Sequence, residues 1–211
     1  MTLQKRSLVL GLASCWLIAV TGGMFALWNY SVTPGAPAGP PVTWPEGSAA
    51  HRAEGLPTLV MAVHPHCPCS RASVDELNVL MTRGKDRLAV NVLFIRPKGM
   101  PEDWEKSDLW QKAAAIPGVR ALVDVEAIET QRFQARTSGQ VILYDARGKL
   151  VFSGGITPAR GHAGQSAGKA AILAFLTLGN LPVRTSEVFG CPLFGPNAGC
   201  QRKDQGCQHN H

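Results

Sequence analysis

Between Leu8 and Trp28 the chain carries 21 consecutive residues without a charge (LVLGLASCWLIAVTGGMFALW). As a helix rising about 1.5 Å per residue, such a run is about 30 Å long, the thickness of a bilayer's hydrocarbon core. Lys5 and Arg6 stand just before it, and Trp28 and Tyr30 stand at its far end. The basic pair predicts a cytoplasmic N-terminus, and the aromatic residues suit the opposite interface. Everything after Tyr30 is then expected outside the cytoplasm. Two rival readings lead to the same side. Leu12-Ala13-Ser14-Cys15 resembles a lipobox, which would put a lipid on Cys15, although thirteen uncharged residues follow where a lipoprotein turns polar. A cleaved signal peptide would call for a shorter apolar core and a small-residue exit. The expectation is an uncleaved single-pass anchor, residues 1–30. Disulfides persist in the compartment beyond it.

Residues 31–57 are rich in Pro, Gly and Ala (TPGAPAGPPVTWPEG) and read as a semi-extended tether. A domain over 58–180 follows, then a cysteine-containing tail, 181–211. Thr58–Val63 is a short apolar run, a buried strand. Val74, Leu77, Leu80 and Met81 recur at helical spacing and stop at Gly84. Leu88–Ile95 is almost continuously apolar, as in a parallel strand covered on both faces. Pro101-Glu102-Asp103 suits the first turn of a helix running to about Ile116. Val119–Val123 predicts a short strand, with Asp124 capping a helix that reaches Phe133. Gln140–Tyr144 and Leu150–Ser153 flank Asp145-Ala146-Arg147-Gly148, a hairpin. The last helix is predicted over Ser166–Leu178. The order β-α-β-α-β-α-β-β-α makes a mixed α/β sheet of about five strands flanked by helices, preceded by one transmembrane helix.

The chemistry gathers at His64-Pro65-His66-Cys67-Pro68-Cys69-Ser70, where the first strand hands over to its helix. Free N–H groups at a helix start favour a thiolate. Pro68 suits the first helical position. His64 and His66 offer positive charge and proton donors beside the sulfur. Cys67 precedes the helix, so it is expected to be the more exposed thiol and the nucleophile. Cys69 is expected to resolve the mixed disulfide. A Cys-Pro-Cys ring is short and stiff, and closing it would give a strained, oxidising bond.

Thr58–Leu80 (TLVMAVHPHCPCSRASVDELNVL) resembles the active-site stretch of the thioredoxin superfamily, in which a strand runs into Cys-x-x-Cys and a long helix. Gln140–Lys149 resembles that family's final hairpin. The resemblance covers about residues 58–180 and implies a thioredoxin-like fold and thiol–disulfide oxidoreductase activity, with Cys67 on the nucleophile's position. The family's second cysteine position falls on Ser70, with Cys69 one place early, and Gly139 stands near the family's cis-proline. The β-α unit over 119–134 is similar to that of membrane-tethered periplasmic thioredoxins and peroxiredoxins. HPHCPCSRAS, SGQVILYDARGKLVFSGGIT and RGHAG together resemble the bacterial RedB-like proteins. The resemblance implies a bacterial inner-membrane protein with its C-terminal domain in the periplasm or outside the cell. Implied partners are extracytoplasmic protein thiols or disulfides and a membrane electron donor or acceptor. No cofactor is expected.

Within this topology Gly154–Gly164 is expected beside Cys67, which would bring Arg160 and His162 near the thiolate. His64, His66, Cys67 and Cys69 form H-x-H-C-x-C, so a copper- or zinc-binding chaperone is the alternative reading. Gly164-Gln165-Ser166-Ala167-Gly168 matches the hydrolase nucleophile elbow but lacks the strand that must precede it, so Ser166 is expected to cap the last helix. His64 replaces the threonine of the peroxiredoxin T-x-x-C pattern. The net charge is +6, but the basic residues are scattered, which argues against a nucleic-acid surface. In the tail, Cys191, Cys200 and Cys207 are followed by His209 and His211. These allow a structural disulfide with a spare thiol, a relay with Cys67 and Cys69, or a metal site.

Overall fold

A computed structural model describes residues 3–84 and 86–194. The chain divides into two compact units, residues 1–33 and 34–211. The first is the helix α1 (Leu3–Val32). Leu8, Trp16, Phe25 and Trp28 all project outward from it. It is apolar all round, and its Lys5–Val32 stretch is long and apolar enough to cross a membrane.

The second unit is built on β1 (Thr58–Val63), α2 (Cys69–Arg83), β2 (Ala89–Arg96), α3 (Asp108–Ala114), β3 (Val119–Val125), α4 (Ile128–Arg132), β4 (Gln140–Tyr144), β5 (Leu150–Gly154) and α5 (Ala167–Leu178). The five strands lie in the order β3-β2-β1-β4-β5. β1, β2 and β3 are parallel, β4 is antiparallel to β1, and β5 is antiparallel to β4. The central strand β1 is buried along its whole length. Its side chains alternate. Leu59, Met61 and Val63 join Val74, Leu77, Leu80, Phe94 and Ile172 in one core, while Val60 and Ala62 join Leu93, Phe133, Ile142 and Tyr144 in the other. This two-sided burial is why the strand reads as an unbroken apolar run.

Ser166 does cap α5, accepting a hydrogen bond from the Lys169 N–H at 3.2 Å. Asp124 accepts the N–H groups of Glu129 and Thr130 at 2.9 and 2.8 Å and so caps α4 from three residues upstream of its cap position. The helix expected from Pro101 starts only at Asp108. Before it the backbone turns at Asp103 (φ 69°), and the Ser107 hydroxyl provides the real cap by accepting the Trp110 N–H.

The Pro/Gly-rich segment is more than a spacer. Leu150 N–H donates to Val42 and Trp44 N–H to Gly148. The Tyr144 hydroxyl donates to Pro41. The Trp44 ring meets Phe133 and Tyr144 edge-on at 5.1 and 5.3 Å. Thus residues from Pro34 onward cover one face of the domain, because Trp44 supplies an apolar surface that the sheet can bury.

Candidate active site

β1 ends at Val63, and the chain turns through His64–Cys67, closed by a hydrogen bond from Cys67 N–H to the His64 carbonyl at 3.1 Å. Pro68 holds helical dihedrals (φ −63°, ψ −32°) and α2 begins at Cys69. The missing N–H of Pro68 costs nothing here, since the first N–H groups of a helix have no intrahelical acceptor. Cys67 therefore stands just before α2, and Cys69 is the first residue of the helix.

Beside this turn lies the segment before β4. The Ser138 hydroxyl accepts the His64 N–H at 2.8 Å and lies 2.6 Å from the Ser70 hydroxyl. Gly139 N–H donates to Ala62 at 2.8 Å. Gly139 has φ 87°, and a side chain there would press on Ser73 of α2. There is no cis peptide bond among the described residues, so a left-handed glycine brings the loop back to β1.

The largest difference from the sequence reading is the position of Cys191. Residues 184–193 form a strap. It first follows β5, with Ser153 N–H donating to Arg184 and Gly155 N–H to the Ser186 hydroxyl. It then crosses to the loop before β4. Ser138 N–H donates to the Cys191 carbonyl at 2.8 Å, Leu193 N–H donates to Arg136 at 2.9 Å, and Thr137 and Pro192 form an antiparallel bridge. This crossing puts Cys191 Sγ 3.0 Å from Cys67 Sγ. The sulfurs of Cys67, Cys69 and Cys191 all lie within 4.8 Å of one another.

The strap also corrects the expected exposure. Cys67 is 4% exposed and Cys69 8%, so Cys67 is the more deeply covered of the two. Cys191 is half-buried. Within the triad the charge settles on Cys67. Its thiol is held well below the usual range, first by the hydrogen bond from Cys191, then by those of Cys69 and Ser70, against burial. Cys191 is pushed up, chiefly because it hydrogen-bonds to the Cys67 thiolate. Cys69 is pushed up as well. Its hydrogen bond with Cys191 pulls it down, but the bond to Cys67, burial and the Cys67 charge outweigh this.

His64 does not supply the positive charge that the sequence suggested. His64 is buried, and burial lowers its pKa to about 4, so near neutrality it carries no positive charge. Its Nδ1 accepts the His66 N–H at 3.2 Å, which places the ring proton on Nε2. His66 is exposed, with Nε2 3.0 Å from the Trp104 carbonyl and its ring 4.6 Å from the indole. His162 is exposed, and its Nδ1 lies 2.7 Å from the Arg160 carbonyl. Among the described residues no hydrogen bond joins His66 or His162 to a cysteine. Arg160 does reach the site: its guanidinium donates to the Gly190 carbonyl, and its charge favours the Cys69 thiolate. The residues that could hold a soft metal are thus the three sulfurs, with Cys191 where a histidine was expected. Cys200 and Cys207 lie outside the described residues.

A parallel β-α-β unit carries a cysteine at its first strand-to-helix turn, and a ββα unit completes the sheet beside it. The fold is thioredoxin-like. No protein-family model and no curated protein matches the chain. Solved structures do. A hypothetical protein from Sinorhizobium meliloti has 21% identity and a TM-score of 0.55, over 77% of this chain and 94% of that one. An uncharacterised conserved protein from Geobacillus kaustophilus has 17% identity and a TM-score of 0.55, over 78% and 94%. A secreted disulfide oxidoreductase from Mycobacterium tuberculosis has 12% identity and a TM-score of 0.42, over 59% and 83%.

Proposed function

We propose that the protein is a membrane-tethered, extracytoplasmic thiol–disulfide oxidoreductase or isomerase in which Cys67 is the catalytic nucleophile and a thiol beside it, Cys69 or Cys191, resolves the intermediate. The observation that carries this reading is the cluster of three sulfurs just before and beside α2, with Cys191 Sγ 3.0 Å from Cys67 Sγ, in which the neighbouring thiols hold the Cys67 thiol below its usual range. A thiolate is the attacking species in disulfide exchange, and a neighbouring thiol is needed to release the mixed disulfide. α1 is the anchor, in the bacterial inner membrane, with the domain in the periplasm or outside the cell. The substrates are protein thiols or disulfides in that compartment, and a membrane electron donor or acceptor resets the centre. His66 and His162 stay at the rim, where each can meet a docked chain.

The triad also supports a second reading, a copper or zinc chaperone, since three thiolates suit a soft ion. One preparation separates the two. Full-length reduced protein in detergent is assayed for turnover of insulin or a model disulfide and titrated with Cu(I). Turnover that disappears in Cys67→Ser supports the oxidoreductase. Unchanged turnover in that variant overturns it, and stoichiometric Cu(I) binding without any turnover favours the carrier.

A further inference from the structure

Cys191 belongs to a segment with no helical or strand period of its own, yet the fold holds it on the candidate nucleophile. Resting on the oxidoreductase reading, we infer that Cys191 is the resolving cysteine, so that the working disulfide joins Cys67 to Cys191 across the strap, not Cys67 to Cys69 within the turn.

Three observations converge. The 3.0 Å between Cys67 Sγ and Cys191 Sγ needs only a small approach to become a bond. Cys69 is the first residue of α2 and only Pro68 separates it from Cys67, so closing that short, stiff ring would strain the turn. The strap is also built to deliver its sulfur. Its backbone is paired to the loop before β4 at Cys191 and at Leu193, and Arg160 grips the Gly190 carbonyl. A Cβ at Gly190 would overlap the Ser138 carbonyl oxygen, so only glycine allows this approach.

The exchange balances as follows. With the strap lifted, the Cys67 thiolate attacks one sulfur of a substrate disulfide, and the other substrate sulfur leaves as a thiolate. Cys191 loses its proton to solvent and attacks Cys67 Sγ, expelling the second substrate thiolate. The substrate has gained two electrons, and two cysteines of the protein have become one disulfide. An extracytoplasmic dithiol donor reopens it. In the oxidised state the strap is docked, with Cys67 buried and Cys191 half-buried, so the donor thiolate enters at Cys191 Sγ. Cys67 then leaves as the thiolate, at a helix start that stabilises it. The donor's second thiol attacks its own linked sulfur and frees Cys191. Run backwards, the same steps oxidise a substrate dithiol.

The test uses full-length protein in detergent. Reduced wild-type protein is reacted with a model disulfide, quenched in acid, alkylated and mapped by tandem mass spectrometry. The expected product links Cys67 to Cys191 and leaves Cys69 alkylated. Cys191→Ser should accumulate a mixed disulfide on Cys67, while Cys69→Ser should not. A Cys67–Cys69 bond in wild type, or trapping by Cys69→Ser and not by Cys191→Ser, overturns the inference and leaves the oxidoreductase reading standing. Turnover that survives Cys67→Ser removes that reading itself. The wild-type map does not depend on any variant folding.

Discussion

His64 shows how a side chain can touch the chemistry without joining it. It sits 5% exposed directly before the cysteine turn, and burial keeps its ring neutral down to about pH 4. In the unfolded chain the same group takes a proton near its ordinary value of 6.5. The unfolded state therefore binds more protons between these values, and the domain loses stability as pH falls from about 6.5 to 4, by up to roughly 3 kcal/mol. Denaturant unfolding across that range should show the decline, and His64→Gln should flatten it. A decline of equal size in the variant would assign it to other groups. The sequence placed His64 beside Cys67, but whether the ring is a cation or a buried neutral group depends on what packs over it.

At the scale of elements, the strap and the turn before α2 act together. Gly190 allows the strap's backbone to lie against Ser138, and Phe189 and Leu193 bury their side chains on either side. Gly190→Ala should lift the strap locally. If that costs about 1.4 kcal/mol of strap docking, the population with Cys67 uncovered rises about tenfold. Alkylation of Cys67 by iodoacetamide, followed by mass spectrometry, should speed up by a similar factor. An unchanged rate would mean that something other than the strap covers Cys67. The elements themselves were largely legible. β1, β4 and α5 stand where their apolar patterns put them, and Ser166 caps α5. The helix expected from Pro101 was not, because a proline followed by acids also suits a turn. Here Trp104 and its carbonyl are drawn to His66, and the helix waits for Ser107.

Across the whole molecule, a Cys67–Cys191 bond would tie the end of β1 to a residue 124 positions later. In the chain-entropy account, closing so long a loop removes denatured-state freedom worth about 4–5 kcal/mol. For a domain of this size that corresponds to a Tm roughly 10–20 °C higher. Thermal unfolding of oxidised and reduced protein, followed by near-ultraviolet circular dichroism, should separate by this order, and Cys191→Ser should abolish the difference. Equal melting in wild type would show that the long loop is never closed.

The amino-acid sequence by itself determined the apolar N-terminal helix, the order of strands and helices, and the cysteine turn at the end of β1. Each of these is a local property: an uncharged run, a hydrophobic period, or a proline and a cysteine at a helix start. Only the tertiary structure decided which thiols meet. Cys191 comes from a stretch without periodicity, and its place depends on backbone hydrogen bonds to residues 136–138 and on a glycine that fits against one carbonyl. Such pairing joins residues far apart in sequence through groups common to every amino acid, so no pattern of side chains announces it.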